Sequence, residues 1–352
     1  MRILISGYYG FDNAGDELIL ECMVGNIRLN INNAEIAVLS ANPEKTSSTY
    51  KVASVNRWNP FSILKSIART DILISGGGGL FQDKTTSLSL YYYIGIIILA
   101  KLFRKKVFVY AVGISKMKFY NTPLLYCALK LVDFITVRNK ESLETFGRHA
   151  AKLKNVEITT DPVFSRTLPA RKIADSNPTV AMILRPSLKG EHPVELFAKL
   201  ADSVSQLLSA KILFVPFQLP CDYSFSLKVM NLMRSDSRIV LWKEPKQLID
   251  IFSDVDLVIS QRLHGLILAT LRGIPLIGVF NDSKLTGFMN EIGQKNMTNL
   301  SDDNLYSMLA IINDLWEWRE EFHKNAIEML PSFKRRSARN IELLREMLKN
   351  AP

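Results

Sequence analysis

At 352 residues the chain exceeds the length at which one hydrophobic core usually stops growing, so about two domains are expected. With 47% hydrophobic and 22% charged residues, 17 Gly and 14 Pro, it is neither a disordered nor a collagen-like chain. The net charge of +10 suits nucleic acid, an anionic membrane surface or acidic substrates, and does not choose among them.

The first ten residues run straight into strand-like sequence, without the charged and apolar regions of a signal peptide, so a cytoplasmic protein is expected. Three widely spaced cysteines, Cys22, Cys127 and Cys221, form neither a disulfide framework nor a zinc-binding pattern, which agrees with a reducing compartment. Strand-like runs are Arg2–Ser6, Glu35–Leu39, Asp71–Ser75, Lys106–Val112, Phe134–Val137 and Val156–Thr160, nearly all separated by helical stretches. The longest apolar stretch, Leu88–Ala100, is too short to span a bilayer, and Leu90–Leu102 reads as a buried helix. Residues 161–178 hold three prolines and no periodicity, so the linker is placed there, at 166–178.

Beyond it the alternation resumes with strands at Thr179–Leu184, Lys211–Val215, Arg238–Leu241, Val255–Ile259 and Pro275–Val279, and with helices from about His192 and Asp222. After Ser301 the pattern is helical to Lys349, with Pro331 expected to break one helix from the next. The expected architecture is α/β: two Rossmann-like domains, 1–165 and 179–330, facing a cleft, and a C-terminal helix over 331–352 packing across both.

In open parallel sheets ligands bind beyond the carboxyl ends of the strands, so the residues after each apolar run are the candidates. The first run is followed by GYYGFDNAGDE (Gly7–Glu17) and the third by SGGGGLFQD (Ser75–Asp83). Neither is a dinucleotide fingerprint or a P-loop, which disfavours an NAD enzyme or a P-loop NTPase. Four consecutive glycines, Gly77 and Gly78 among them, let backbone approach a ligand, although helix packing would use them too. Asn13 and Asp16 are candidates for chemistry or for capping the following helix. The run Val255–Ser260 leads into Gln261-Arg262-Leu263-His264-Gly265, where an arginine, a histidine and free backbone N–H groups collect at a helix start. That combination is an anion site. Arg185 follows the run Val180–Leu184, Lys284 follows Ile277–Phe280 by a short loop, and Arg138 follows Phe134–Val137, all at strand ends.

Taken together, these segments resemble the polysaccharide pyruvyl transferases, and most closely the CsaB-type members that pyruvylate a secondary cell-wall polymer of the S-layer-anchoring kind. The resemblance rests on GYYGFDNAGDE, SGGGGLFQD, VRNKES (Val137–Ser142), DPVF (Asp161–Phe164) and QRLHG (Gln261–Gly265), with Lys284 twenty residues after His264, and covers nearly the whole chain. It implies a GT-B-like fold, phosphoenolpyruvate as donor and co-substrate with no further cofactor or metal, and a lipid-linked saccharide with two reacting hydroxyls as acceptor. On that basis Arg185, Arg262 and the helix start at Leu263–His264 would hold carboxylate and phosphate, beside the small Gly265. His264 would act as proton donor or charge stabiliser, Asp16 as base, and Lys284 and Arg138 as aids to phosphate departure. Asn13, Gly77, Gly78, Gln82 and Asp83 would line the acceptor side. A GT-B glycosyltransferase using a nucleotide sugar is the alternative enzyme. A non-enzymatic protein binding a membrane surface or nucleic acid through Arg104–Lys106 and Lys334–Arg336 is the alternative class, and nucleic acid lacks a supporting aromatic motif. Peripheral docking on the anionic inner face of the cell membrane is the expectation that goes with a lipid-linked acceptor.

Overall fold

A computed structural model describes residues 1–83, 86–145, 153–169, 174, 176–186, 194–279, 283–294, 297–298 and 300–349. The chain divides into two compact units, Met1–Arg166 with Ser332–Pro352, and Thr167–Pro331. Residues 170–173 and 175 of the expected linker, and the helix start near 192, lie outside the described residues.

The first unit runs β1 (Arg2–Ser6), α1 (Ala14–Asn30), β2 (Glu35–Ser40), α2 (Pro43–Tyr50), β3 (Ala53–Asn56), α3 (Pro60–Arg69), β4 (Ile72–Phe81), α4 (Ser87–Leu102), β5 (Lys106–Ile114), α5 (Asn121–Lys130), β6 (Phe134–Val137), α6 (Lys140–Glu144) and β7 (Val156–Ile158). Among the described residues these strands form a seven-stranded parallel sheet in the order β3-β2-β1-β4-β5-β6-β7. The order reverses between β1 and β4, the place where open α/β sheets open a crevice at their carboxyl edge. Helices α3, α4 and α5 pack as neighbours over the sheet, where Ile63, Ile67, Leu90, Tyr93, Ile97, Leu125 and Leu129 share one core.

The glycine-rich segment expected as a loop is strand instead. β4 continues for ten residues through Gly76–Gly79 to Phe81, pairing with β5 at Gly76–Tyr110, Gly78–Val112 and Phe81–Ile114 with a shift of register. Pairing with β5 and burial of the segment at all but Gly79 outweigh the poor strand propensity of glycine.

The second unit runs β8 (Thr179–Ile183), α7 (Val194–Leu208), β9 (Lys211–Phe214), α8 (Cys221–Leu232), β10 (Ser237–Ile239), α9 (Pro245–Ile251), β11 (Leu257–Ser260), α10 (Leu263–Arg272), β12 (Leu276–Val279), α11 (Ser283–Glu291), β13 (Met297–Thr298) and α12 (Leu305–Glu317). Its described strands form a six-stranded parallel sheet, β10-β9-β8-β11-β12-β13, with a second reversal between β8 and β11. The fold is thus two Rossmann-like α/β units with C-terminal helices.

The last helix, α13 (Arg319–Lys349), does not break at Pro331 as expected but carries it in its interior. Proline removes one N–H and crowds the preceding turn. Tertiary packing holds the turn together: Phe333 stacks on Phe164 at 4.4 Å, and the buried Asn340 accepts from Thr159 Oγ1 at 2.8 Å and donates to the Thr160 carbonyl. Residues from Ser332 onward therefore belong to the first unit.

Candidate active site

In the second unit, β11 ends at the buried Ser260, whose Oγ accepts from Arg262 N at 3.0 Å and donates to the Arg262 carbonyl at 2.7 Å. This small side-chain loop aims the chain into α10 with Arg262 in extended conformation at the N-cap. The Arg262 side chain makes no capping bond. It turns instead to Asp222 in the first turn of α8, donating from Nε at 3.0 Å and from Nη2 at 2.5 Å. Asp222 is fully buried and also accepts from the backbone N–H groups of Phe217 and Gln218. The guanidinium is thus held along its Nε–Nη2 edge, leaving the Nη1 side for a ligand.

Gln261 is buried, its N–H donates to the Ile183 carbonyl, and its side-chain oxygen accepts from Arg185 N at 3.0 Å. The ends of β8 and β11, and with them Arg185 and Arg262, are tied together by this one side chain. Leu263 and His264, both half-buried, are the first two residues of α10. At Gly265 a Cβ would lie 2.4 Å from Ile183 Cδ1 and 2.6 Å from Ser260 Oγ, so its smallness seats α10 against β8 and β11. Lys284 is the second residue of α11. Arg185, Arg262, Leu263 and His264 therefore share one sheet edge, the helix dipole adds a positive end, and the arrangement suits a ligand with carboxylate or phosphate oxygens.

In the first unit the loop after β1 is organised by buried side chains. Tyr9 folds back over Gly7 and donates to the Gly76 carbonyl at 2.5 Å, and burial followed by the charge of Asp16 pushes its phenol well above the ordinary range. Asn13 is the N-cap of α1, its side chain accepting from Gly15 N and Asp16 N. Asp16 is half-buried in the first turn. Glu17, unassigned from sequence, is buried, accepting from Gly10 N at 2.8 Å and from Tyr50 OH at 2.5 Å. Burial pushes its carboxyl above the usual range, against those two hydrogen bonds, which favour the charged form.

Gly77 and Gly78 both have φ +77°, and a Cβ on them would strike Ile19 and Asp16 Oδ1 at 2.1 and 2.4 Å. They bring β4 against α1, so Gly78 backbone touches the Asp16 carboxylate. Asp83 is buried, its carboxylate accepting from Lys118 N and Asn121 Nδ2, while Gln82 N donates to the Leu80 carbonyl. These contacts fix the end of β4 to the segment entering α5. Arg138 is buried, paired with the buried Asp161 at 3.3 Å, and packed beneath Gly113. Its guanidinium is committed to the protein interior. Among the described residues no group of three or more His, Cys, Asp or Glu side chains is placed to hold a metal ion.

With this geometry in view, comparison with protein families is decisive: the model for polysaccharide pyruvyl transferase matches residues 13–283, from the N-cap of α1 to the start of α11. The chain belongs to the polysaccharide pyruvyl transferase family. It is accordingly a transferase acting in polysaccharide pyruvylation, and the matched span contains Asn13, Asp16, Arg185, Arg262 and His264. No curated protein matches the chain significantly. Solved structures share the fold of this pyruvyl transferase family member. UDP-GlcNAc 2-epimerase from Neisseria meningitidis, bound to UDP-GlcNAc, is 14% identical with a TM-score of 0.68, covering 99% of this chain and 100% of its own. MnaA from S. aureus, in a co-structure with UDP, is 12% identical with a TM-score of 0.69 over 99% and 97%. Anabaena Alr3699/HepE, in complex with UDP-glucose, is 12% identical with a TM-score of 0.63 over the full length of both. At these identities the likeness is one of GT-B-like fold.

Proposed function

We propose that the protein transfers the pyruvyl group of phosphoenolpyruvate onto two hydroxyls of one sugar in a lipid-linked cell-wall polysaccharide precursor, as CsaB-type members of the family do, and releases phosphate. The observation that carries the reading is the start of α10, where Arg262, aligned by Asp222, and Arg185, tied in by Gln261, meet a helix N-terminus. A small donor with a carboxylate and a phosphate needs such a set of positive groups.

The chemistry balances without a further reactant. A proton adds to the methylene carbon of phosphoenolpyruvate while the first sugar hydroxyl forms a bond to C2, losing its proton to a base. The C2–O bond to phosphate then breaks with its electron pair, and the second hydroxyl attacks C2 to close the ketal, releasing a second proton. Arg185, Arg262 and the helix start neutralise the donor's charge, and Lys284 is assigned to the departing phosphate. His264 is the proton donor or the charge stabiliser. Asp16 is the residue assigned to the acceptor's proton. Arg138 is given no part, because its guanidinium is buried against Asp161.

The assay is incubation with phosphoenolpyruvate and candidate lipid-linked saccharides, following phosphate release and product mass. His264→Gln is expected to keep the fold and lose about 100-fold or more in rate. The fold neighbours bound to UDP and UDP-sugars give the competing reading, a nucleotide-sugar glycosyltransferase. Tight calorimetric binding of a nucleotide sugar together with none of phosphoenolpyruvate would replace the pyruvyl-transfer assignment.

A further inference from the structure

The stretch expected as a buried helix, Leu90–Leu102, is buried on one side only. Helix α4 sets Leu90, Tyr93, Ile94, Ile97 and Ala100 against the sheet, while Leu88, Tyr91, Ile98 and Leu102, at helical spacing, face outward and are exposed. Nothing among the described residues would meet a Cβ added at Gly95, in the middle of that outward stripe. Beside it, α3 and the residues before it expose Phe61 (82%) and Trp58 (65%), and a groove of about 510 Å³ runs between the two helices, lined by Trp58, Pro60, Leu64, Tyr92, Gly95 and Leu99. On the other side of α4, Phe119, Tyr120 and Leu124 add further exposed apolar surface, tied to it by the Tyr91–Asn121 hydrogen bond. Scattered apolar side chains are ordinary on a surface, but a face shared by three neighbouring helices is not.

The charge on this face is one-sided. The sequences of α3, α4 and α5 contain no acidic residue. Between Trp58 and Leu131 the acidic residues are Asp71, which accepts from Arg2, and Asp83, which is buried. Lys65, Arg69, Arg104 and Lys130 are exposed on the same helices or at their ends. Lys105 Nζ donates to the Ala68 carbonyl, which brings the basic ends of α3 and α4 to one place.

We infer that this face of the first unit docks on an anionic lipid bilayer, with Trp58, Phe61, Leu88, Tyr91, Ile98 and Leu102 entering the interfacial layer and the lysines and arginines meeting headgroup phosphates. Charge complementarity selects the occupant. A second copy of the chain would set like charges together with no carboxylate on the three helices to receive them, whereas a bilayer offers an apolar layer beneath a negative one. Aromatic rings favour that boundary. No helix among the described residues is long and apolar enough to cross a membrane, so the attachment is lateral. The inference does not depend on the reaction assigned above, and it differs from docking by charge alone because apolar contact carries part of it.

The test uses the full-length protein, with flotation on phosphatidylcholine vesicles with and without phosphatidylglycerol. Binding is expected to the anionic vesicles, weakened but not abolished at about 1 M salt, where screening leaves only short-range contacts. The triple variant Phe61→Ser, Leu88→Ser, Leu102→Ser, which alters only exposed side chains, is expected to lose at least tenfold in partitioning with an unchanged melting temperature. A second readout guards against misfolding of that variant: lipids brominated on the acyl chains should quench part of the tryptophan fluorescence, and Trp58→Phe should remove that part. Absence of binding to anionic vesicles, unchanged partitioning in the triple variant, or quenching that persists in Trp58→Phe would overturn the proposal. So would a concentration-dependent dimer that the same three substitutions dissolve while vesicles are not bound, which would assign the face to a second copy.

Discussion

Asp222→Asn changes one oxygen into an amide nitrogen at a carboxylate that receives four N–H donors, those of Phe217, Gln218 and the Nε and Nη2 of Arg262. An amide has one acceptor oxygen and turns its own N–H₂ towards donors, so the pair of bonds to the guanidinium cannot survive intact. Each bond to a charged group contributes about 1.5–3 kcal/mol, and the Arg262 side chain, 23% exposed, recovers part of that from water, leaving an expected loss of about 2–4 kcal/mol. For a unit of this size that lowers the melting temperature by roughly 5–15 °C. Arg262→Gln is expected to cost more, about 3–5 kcal/mol, because it strands a fully buried carboxylate. In urea titrations of the two single variants and the double variant, the double should be less destabilised than the sum of the singles by about 2 kcal/mol. On the proposed reaction, activity at a temperature where all are folded should show a raised KM for phosphoenolpyruvate in Asp222→Asn, since Asp222 holds the Arg262 guanidinium. Additivity of the two substitutions within about 0.5 kcal/mol would refute the two-point ion pair and with it the account of how the anion site is aligned.

Three further outcomes follow from contacts described above. Asn13→Ala should lower stability by about 1 kcal/mol because it removes the acceptor for Gly15 and Asp16 N–H, whereas Asp16→Asn should leave the melting temperature near that of the parent and act on rate per folded molecule, checked by parallel thermal melts and phosphate-release assays. Gly265→Ala should cost about 1–3 kcal/mol in urea titration and raise the KM for phosphoenolpyruvate, because its Cβ forces the first turn of α10 away from Ile183 and Ser260. Since the Glu17 carboxyl titrates higher folded than unfolded, the unfolded chain releases that proton first, so its contribution to stability declines as pH rises from the ordinary carboxylate range towards the raised value; Glu17→Gln should flatten that part of the profile of melting temperature against pH.

The strands with β-branched cores, such as Arg2–Ser6 and Leu257–Ser260, are visible in the sequence because local pattern and tertiary burial agree in them. β3 is not, since Ala53–Asn56 holds one β-branched residue and is a strand through its pairing with β2. The extension of β4 through four glycines runs against local propensity for the reason given by its neighbours: Tyr110, Ile19 and Asp16 occupy the volume that side chains would need. At the candidate site, the placement of Arg262 at a helix start is legible from six consecutive residues, but Asp222 lies forty positions away and only the fold brings it to the guanidinium. Arg138 illustrates the converse. Its place at a strand end is legible, while the Asp161 that claims its charge, twenty-three residues on, is not.

The first unit is discontinuous, being closed by residues from Ser332 onward. On a ribosome its seven strands emerge before the second unit, yet Thr159, Phe164 and Glu157 wait for Asn340, Phe333 and Arg339, which follow that unit in the chain. The unit begun before the second is thus finished only after the whole of the second has been synthesised. Until then Phe164 and the polar groups of Thr159 and Thr160 stand open at the edge of β7, a surface for chaperones to hold and for premature aggregation to exploit. A chain truncated before Ser332 would stay in that state, and a peptide carrying residues 332–349 is the piece that would close it.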